Sequence, residues 1–183
     1  MINHSVCVVT GSRAEFGLRR RLIDRLYAAS AIDMRLVVTG SHLDPAFGGT
    51  QNEVEASGLP IHAKLPIPLG GDTKTAMVKA TAQAMLRFAD YFTENRPELL
   101  VVLGDRYEIF AAVSAAALLG IPIAHIHGGE TTEGAVDEFL RHAITKMSYL
   151  HFTSCEEYRR RVIQLGESPE RVFSVGALGV ENA

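Results

Sequence analysis

Tryptophan is absent from this 183-residue chain and cysteine is scarce, with only Cys7 and Cys155 present, far apart and not in a C-x-x-C pair. The missing tryptophan carries no functional information. The cysteine usage reads as a reduced, cytoplasmic protein without a disulfide framework, and Cys7, inside an apolar run, reads as a small core residue. No apolar run approaches the roughly 20 residues of a membrane span. Met1-Ile2-Asn3-His4 lacks the basic region and apolar stretch of a signal peptide. There is no basic surplus either: 18 Lys and Arg stand against 21 Asp and Glu, for a net charge of −3. That balance argues against a nucleic-acid partner, and it leaves room for a phosphate pocket, which needs only a few local cations. The dinucleotide fingerprint G-x-G-x-x-G, the P-loop G-x-x-x-x-G-K-[ST] and the zinc motif H-E-x-x-H are all missing.

What is present is an ordinary globular composition, 47% hydrophobic and 21% charged, in a chain long enough to bury about 70% of its unfolded surface. Short apolar runs predict strands over Ser5–Thr10, Met34–Thr39, Leu99–Leu103 and Ile121–Ile126, with weaker ones over Ile61–Leu65, Tyr149–Phe152 and Val172–Val175. Helical patterns fall between them, over Glu15–Ala29, Thr73–Phe92, Tyr107–Leu119, Asp137–Ser148 and Glu156–Leu165. In the second of these helices, Met77, Thr81, Ala84, Phe88 and Phe92 lie near one face. Gly120 and Pro122 close the third. Continuous apolar strands alternating with helices predict an α/β fold: a doubly wound, Rossmann-like parallel sheet covered on both faces. Residues 1–176 read as one domain, and 177–183 as the start of a connection to a further, C-terminal domain.

Ligands of such sheets bind outside the carboxyl ends of the strands. That rule directs attention to Gly11–Gly17, Gly40–Gly49, Gly104–Glu108 and His127–Asp137. In the first segment a glycine turn precedes a helix N-terminus, and Arg13 adds a planar cation suited to phosphate. In the third, Asp105 reads either as a catalytic carboxylate or as the cap of the next helix, and Arg106 as a phosphate partner or as one half of an ion pair. The fourth follows His125-Ile126-His127-Gly128-Gly129-Glu130. His125 reads first as a hydrogen-bonded core histidine. His125 and His127 would point to the same side if both stayed in the strand, and a zinc site of these two with Glu130 or His142 is a minor alternative. Asp137 and Glu138 stand at a helix start, where acids complement the dipole, and Asp137 is four residues from Arg141, close enough to pair with it. His42 and Asp44 follow the second strand, within reach of the same edge. The runs Arg19-Arg20-Arg21 and Arg159-Arg160-Arg161 read as solvated helix faces, and Gly70–Thr73 as a loop leading into a helix cap.

Taken together, Val9–Gly17, Leu103–Glu108, His125–Ser148, Ile163–Glu167 and Val172–Gly176 resemble the hydrolysing UDP-N-acetylglucosamine 2-epimerases of sialic acid biosynthesis. The resemblance covers essentially the whole chain, and it is the joint order and spacing of the motifs that is specific. It implies one half of a two-domain, glycosyltransferase-B-like architecture about twice this length. The other half would supply most of the uridine and diphosphate contacts and a further catalytic histidine. It also implies a homo-oligomer in the full-length protein, a UDP-sugar substrate, and no cofactor, metal or membrane partner. By position, Arg13, Gly17 and Arg106 would contact UDP, and Asp105 and Asp137 would be catalytic carboxylates. Where the sialic acid branch that includes the animal enzymes carries a glutamate, this chain has His127, and the loop to Asp137 is one residue longer. Bacterial relatives with His-Ile-His-Gly-Gly-Glu, including makers of legionaminic acid precursors, share that feature. Either His127 or Glu130 would therefore take the remaining catalytic position.

The implied reaction eliminates UDP from UDP-N-acetylglucosamine to leave 2-acetamidoglucal. Water then adds, giving N-acetylmannosamine, with the isolated domain inactive. Other readings stay open: the same chemistry on a UDP-linked 2,4-diacetamido-trideoxy sugar, the acceptor domain of a glycosyltransferase, a non-catalytic flavodoxin-like nucleotide module, or a pseudo-enzyme that only assembles with partners.

Overall fold

The computed structural model describes residues 3–68, 70–71, 73–132 and 136–179. Within them the strands are β1 (His4–Thr10), β2 (Ile32–Thr39), β3 (Ile61–Leu65), β4 (Leu99–Leu103), β5 (Ile123–Ile126), β6 (Leu150–Thr153) and β7 (Val172–Ser174). The helices are α1 (Arg13–Ala28), α2 (Gln51–Ala56), α3 (Lys74–Glu94), α4 (Tyr107–Leu118), α5 (Asp137–Met147) and α6 (Glu156–Gln164). The strands pair in parallel in the order β3-β2-β1-β4-β5-β6-β7. The direction of winding therefore reverses between β1 and β4, which is the topological switch point of a doubly wound sheet.

Parallel strands joined by right-handed crossovers must send their helices to opposite faces on either side of such a reversal. The core divides accordingly. On one face Phe88 and Phe92 of α3, Ile109 and Val113 of α4 and Ile144 of α5 pack on Cys7, Val9, Leu100, Val102 and Ile123. On the other, Phe16 and Ile23 of α1 and Val54 of α2 pack on Val6, Val8, Leu36, Val101 and Ile126. Alternate residues of β1 and β4 thus serve both layers, and this is why the strands read as continuous apolar runs.

Local chemistry sets the ends of the elements. Ser12 caps α1 by accepting from the Glu15 amide at 3.4 Å, so the helix starts at Arg13, two residues before the pattern suggested. Thr73 caps α3 in the same way through Ala76 at 3.1 Å, as the Gly70–Thr73 reading expected, although Asp72 lies outside the described residues. The buried face of α3 consists of Ala80, Ala84, Phe88, Tyr91 and Phe92. Ala80 and Tyr91 replace Met77 and Thr81, which are only half-buried. β5 begins at Ile123 because Ile121 still belongs to the helix stop, its amide donating to the Ala116 carbonyl at 2.9 Å. The short helix α2 has no counterpart in the sequence expectation. Gly179, near the end of the described chain, lies against Leu18 of α1.

Candidate active site

The switch point carries a buried charge cluster. Glu15 accepts from the Gly11 amide at 2.8 Å, so the acid of the Ser12–Glu15 capping pair holds the glycine turn rather than Ser12 itself. Arg19, one helical turn further on, is 0% exposed. This overturns its reading as a solvated residue. Its Nη2 donates to the Val9 carbonyl at 2.7 Å and its Nε to the Glu15 carbonyl at 3.2 Å, with the Glu15 carboxylate 3.7 Å away. The pairing of β1 with β4 runs only from Val6 to Val8, and Arg19 bonds the carbonyl of the next residue along, Val9. Burial pushes the Glu15 carboxyl up to about 7, against the opposing pull of Arg19 and the Gly11 amide. Arg20 keeps to the surface and pairs with Asp24 at 3.0 Å.

A second buried acid faces the same turn. Glu108, on the first turn of α4, is 0% exposed and accepts from Arg106 Nε at 2.5 Å. A Cβ added to Gly11 would lie 2.7 Å from Glu108 Cγ, and one added to Gly40 would lie 3.0 Å from its Oε1. Both glycines are therefore needed for close approach. Ser41 donates to the Gly11 carbonyl at 3.0 Å and tightens the contact. His42 is also drawn inward, with its ring nitrogens 3.1 Å from the Thr10 and Thr50 hydroxyls. Asp44 caps the next turn through the Ala46 amide at 2.9 Å. Asp44, Phe47, Thr73, Met77, Arg106 and Tyr107 line an open hollow beside the cluster.

The ends of β4 and β5 and the start of α5 bring a third group together. Arg141 Nη2 bonds both the Asp105 carboxylate and Thr132 Oγ1, the latter at 2.9 Å. Asp105 does not cap α4; its neighbour Arg106 occupies that position. The partners of Arg141 are Asp105 and Glu138 rather than Asp137, because the side chain turns in toward the sheet edge instead of lying along the helix. Glu138 also accepts from the Thr132 amide at 2.7 Å and sits 3.2 Å from His142 Nε2. Asp137 is the first residue of α5 and half-buried. Gly134 and Ala135, which the sequence placed before it, lie outside the described residues.

His125 is a buried core residue. Its Nε2 faces the Gly104 carbonyl at 2.8 Å and its Nδ1 the Thr145 hydroxyl at 3.2 Å, and burial pushes its pKa down to about 4. With both nitrogens engaged it has none left for zinc. Among the described residues no three His, Cys, Asp or Glu side chains are placed to hold a metal ion. His127 does not point to the side His125 takes, because the strand ends at Ile126. His127 has a φ of +65°, the one non-glycine residue in that region among those described. A β-carbon in this conformation is strained, and such strain clusters at functional sites. Its Nδ1 lies 3.3 Å from Glu130 Oε1, which accepts from Ser154 Oγ at 2.7 Å. Its Nε2 is buried and has no partner among the described residues. Burial, and then the Arg19 charge, lower the His127 pKa, with Glu130 pulling the other way.

Arg13 and Gly17 lie apart from these acids. They share an open depression on α1 with Leu18 and Gly179. Arg13 is 72% exposed and pairs with Glu53 at 3.0 Å.

Residues 24–183 match the family model described as UDP-N-acetylglucosamine 2-epimerase. The chain belongs to this family. It is 47% identical over 178 residues to the polysialic acid biosynthesis protein P7 of Escherichia coli, covering 97% of this chain and 46% of that protein. It is 42% identical over 176 residues to the UDP-N,N'-diacetylbacillosamine 2-epimerase (hydrolyzing) of Legionella pneumophila, covering 96% of this chain and 46% of that protein. The chain thus spans just under half the length of these curated relatives. Its fold superposes with a TM-score of 0.84 on the UDP-GlcNAc 2-epimerase of Neisseria meningitidis solved with UDP-GlcNAc, at 20% identity, over 97% of this chain and 48% of that one.

In this member of the family, sequence reasoning passed over Glu15, Glu108 and Ser154, placed Arg19 in solvent and gave Arg141 the wrong partner. Glu15 and Glu108 lay inside the segments singled out, and the signal of Glu108 was a charged residue on an otherwise apolar helix turn. Arg19 gave no signal, because a run of three arginines looks the same whether one of them is buried or none.

Proposed function

We propose that this chain carries the sugar-side catalytic groups of a hydrolysing UDP-N-acetylglucosamine 2-epimerase. The observation that supports it is that Asp105 and Arg106 follow β4, the His127–Glu130 pair follows the neighbouring β5, and α5, which starts at Asp137, is tied to Asp105 through Arg141. A general base removes the C2 proton as the C1–O bond to UDP breaks. The electron pair of the C–H bond becomes the C1–C2 double bond of 2-acetamidoglucal, and UDP departs. Water then adds its hydroxyl at C1 and a proton returns to C2 on the opposite face, giving N-acetylmannosamine. No redox cofactor is required, since nothing is oxidised overall.

His127 suits the base: it is kept neutral by burial and by Arg19, and its Nε2 is unclaimed, while Glu130 and Ser154 fix the other side of the ring. Asp105, held by Arg141, and Asp137 are the carboxylates for the opposite face and the added water. Arg106 and Arg13 would stabilise the departing diphosphate, with Gly17 beside Arg13. The rest of the UDP grip and the oligomer belong to the remaining half that the relatives carry, so these residues alone turn over little.

The test is to incubate the full-length gene product, and this chain alone, with UDP-N-acetylglucosamine in heavy water. Release of UDP together with N-acetylmannosamine carrying deuterium at C2 is expected from the former. kcat/KM should hold down through the ordinary histidine value near 6.5 and fall only below it, since burial and Arg19 hold the His127 pKa under that value. A second substrate is favoured by the 42% identity to the diacetylbacillosamine enzyme: a UDP-linked 2,4-diacetamido-trideoxy sugar, read by the same label. Failure on both sugars would put a glycosyltransferase acceptor domain first.

A further inference from the structure

We propose, resting on the function above, that Glu108 is a positioning residue that aims Arg106 at the diphosphate of the substrate. An acid on the first turn of a helix is ordinarily a solvated partner of the helix dipole. Glu108 occupies that position and is instead fully buried, pressed between Gly11 and Gly40. A buried carboxylate needs a cation, since leaving it uncompensated is costly. Arg106 is that cation, at 2.5 Å through Nε. The arginine side chain is nevertheless 41% exposed and lines the hollow that also takes in Asp44, Thr73 and Tyr107.

Two demands meet on one guanidinium. Its inner nitrogen is committed to Glu108, and its Nη pair remains for a ligand. Because Glu108 cannot be left alone in the core, Arg106 cannot swing away with a ligand, so its outer edge is fixed before any ligand arrives. Gly11 lacks a side chain for the same reason, since a Cβ there would displace the carboxylate that does the aiming, and a Cβ on Gly40 would meet the Gly11 carbonyl at 2.7 Å and that carboxylate at 3.0 Å. The Glu15–Arg19 pair holds the Gly11 turn from below through the Gly11 amide and the Val9 carbonyl. Arg106 is thus one of four charged side chains in two ion pairs, and it rests on the three buried ones, Glu108, Glu15 and Arg19.

The experiment is a double-mutant cycle on UDP affinity in the full-length protein, read by calorimetry. Glu108→Gln should weaken UDP binding about tenfold when Arg106 is present and leave it unchanged in an Arg106→Ala background, since a positioning residue acts only through what it positions. Equal weakening in both backgrounds would overturn the proposal and leave Glu108 a core residue. If Glu108→Gln loses its cooperative melting transition, Glu108→Asp, which keeps the charge and draws it back by one methylene, takes its place in the cycle. A wild-type protein that does not bind UDP would defeat the proposed function. The hold of Glu108 would then be decided by hydrogen exchange at Arg106 Nε, followed by nitrogen NMR. Exchange should be slow in the wild type and faster in the variant, and equal rates would overturn the inference.

Discussion

A methyl group on Gly11 would meet Glu108 Cγ at 2.7 Å and its Oε1 at 2.9 Å. Neither atom can retreat, because Glu108 is fully buried and tied to Arg106. Gly11→Ala should therefore cost about 1–3 kcal/mol, the usual range for overpacking, and loosen the Arg106 contact. Urea denaturation checks the first effect, and a cost under about 0.5 kcal/mol would contradict it. Arg19 makes a sharper case. Removing one partner of a buried pair leaves the other uncompensated, so Arg19→Met should destabilise the fold by roughly 3–5 kcal/mol. Glu15, already pushed up to about 7 by burial, rises further once its cation is gone and takes a proton in mild acid. The penalty should accordingly be larger at pH 8 than at pH 5.5, and denaturation curves at the two pH values decide the point.

At the scale of elements, α5 is the one whose placement the proposed chemistry depends on most. It presents Asp137 at its first residue and is fastened to the sheet edge through Arg141, Asp105 and Thr132. Arg141→Met should leave the core helices intact and free this helix start. Amide exchange should quicken at residues 137–140, and turnover should fall at least tenfold with little change in UDP affinity. Unchanged exchange there would mean that the ion pair does not hold the helix. The order of strands and helices was legible in the sequence because buried parallel strands leave continuous apolar runs, and because Ser12, Thr73 and Gly120 mark helix ends by their own chemistry. The short helix α2 was not, since six residues hold too little periodicity to separate from a loop. The segments of the candidate site were singled out by the rule that ligands gather at strand ends, whereas the contacts among them were not legible. Spacing along α5 offered Asp137 to Arg141, and only the fold brings in Asp105, 36 residues away. The inward turn of Arg19 depends on a break in pairing between β1 and β4 that no local pattern records.

The whole molecule carries three buried histidines whose pKa values burial lowers: His42, His125 and His151. Each is neutral in the folded state and takes a proton more readily when unfolded, so its contribution is complete above the unfolded value near 6.5 and is lost as the pH falls toward the folded value. For His125, whose folded value is about 4, that amounts to roughly 3 kcal/mol between those limits. Glu15 works in the opposite sense: its folded value is raised, so its contribution is complete below about 4.5 and is lost as the pH rises through 7. Three histidines against one acid predict a urea midpoint that is highest near neutrality and drops steeply below pH 6. A flat midpoint from pH 7 to 4.5 would refute this. The strand order has a consequence for how the molecule is made. β1 pairs on one side with β2, soon after it in the chain, and on the other with β4, whose Leu99 faces Val6. As the chain emerges from the ribosome, β1, β2 and β3 are complete while one edge of β1, the most apolar of them, still waits for its neighbour. That open edge is the nascent protein's most adhesive surface until residue 103 has been synthesised, and stalling before that point should yield aggregate rather than a smaller folded sheet.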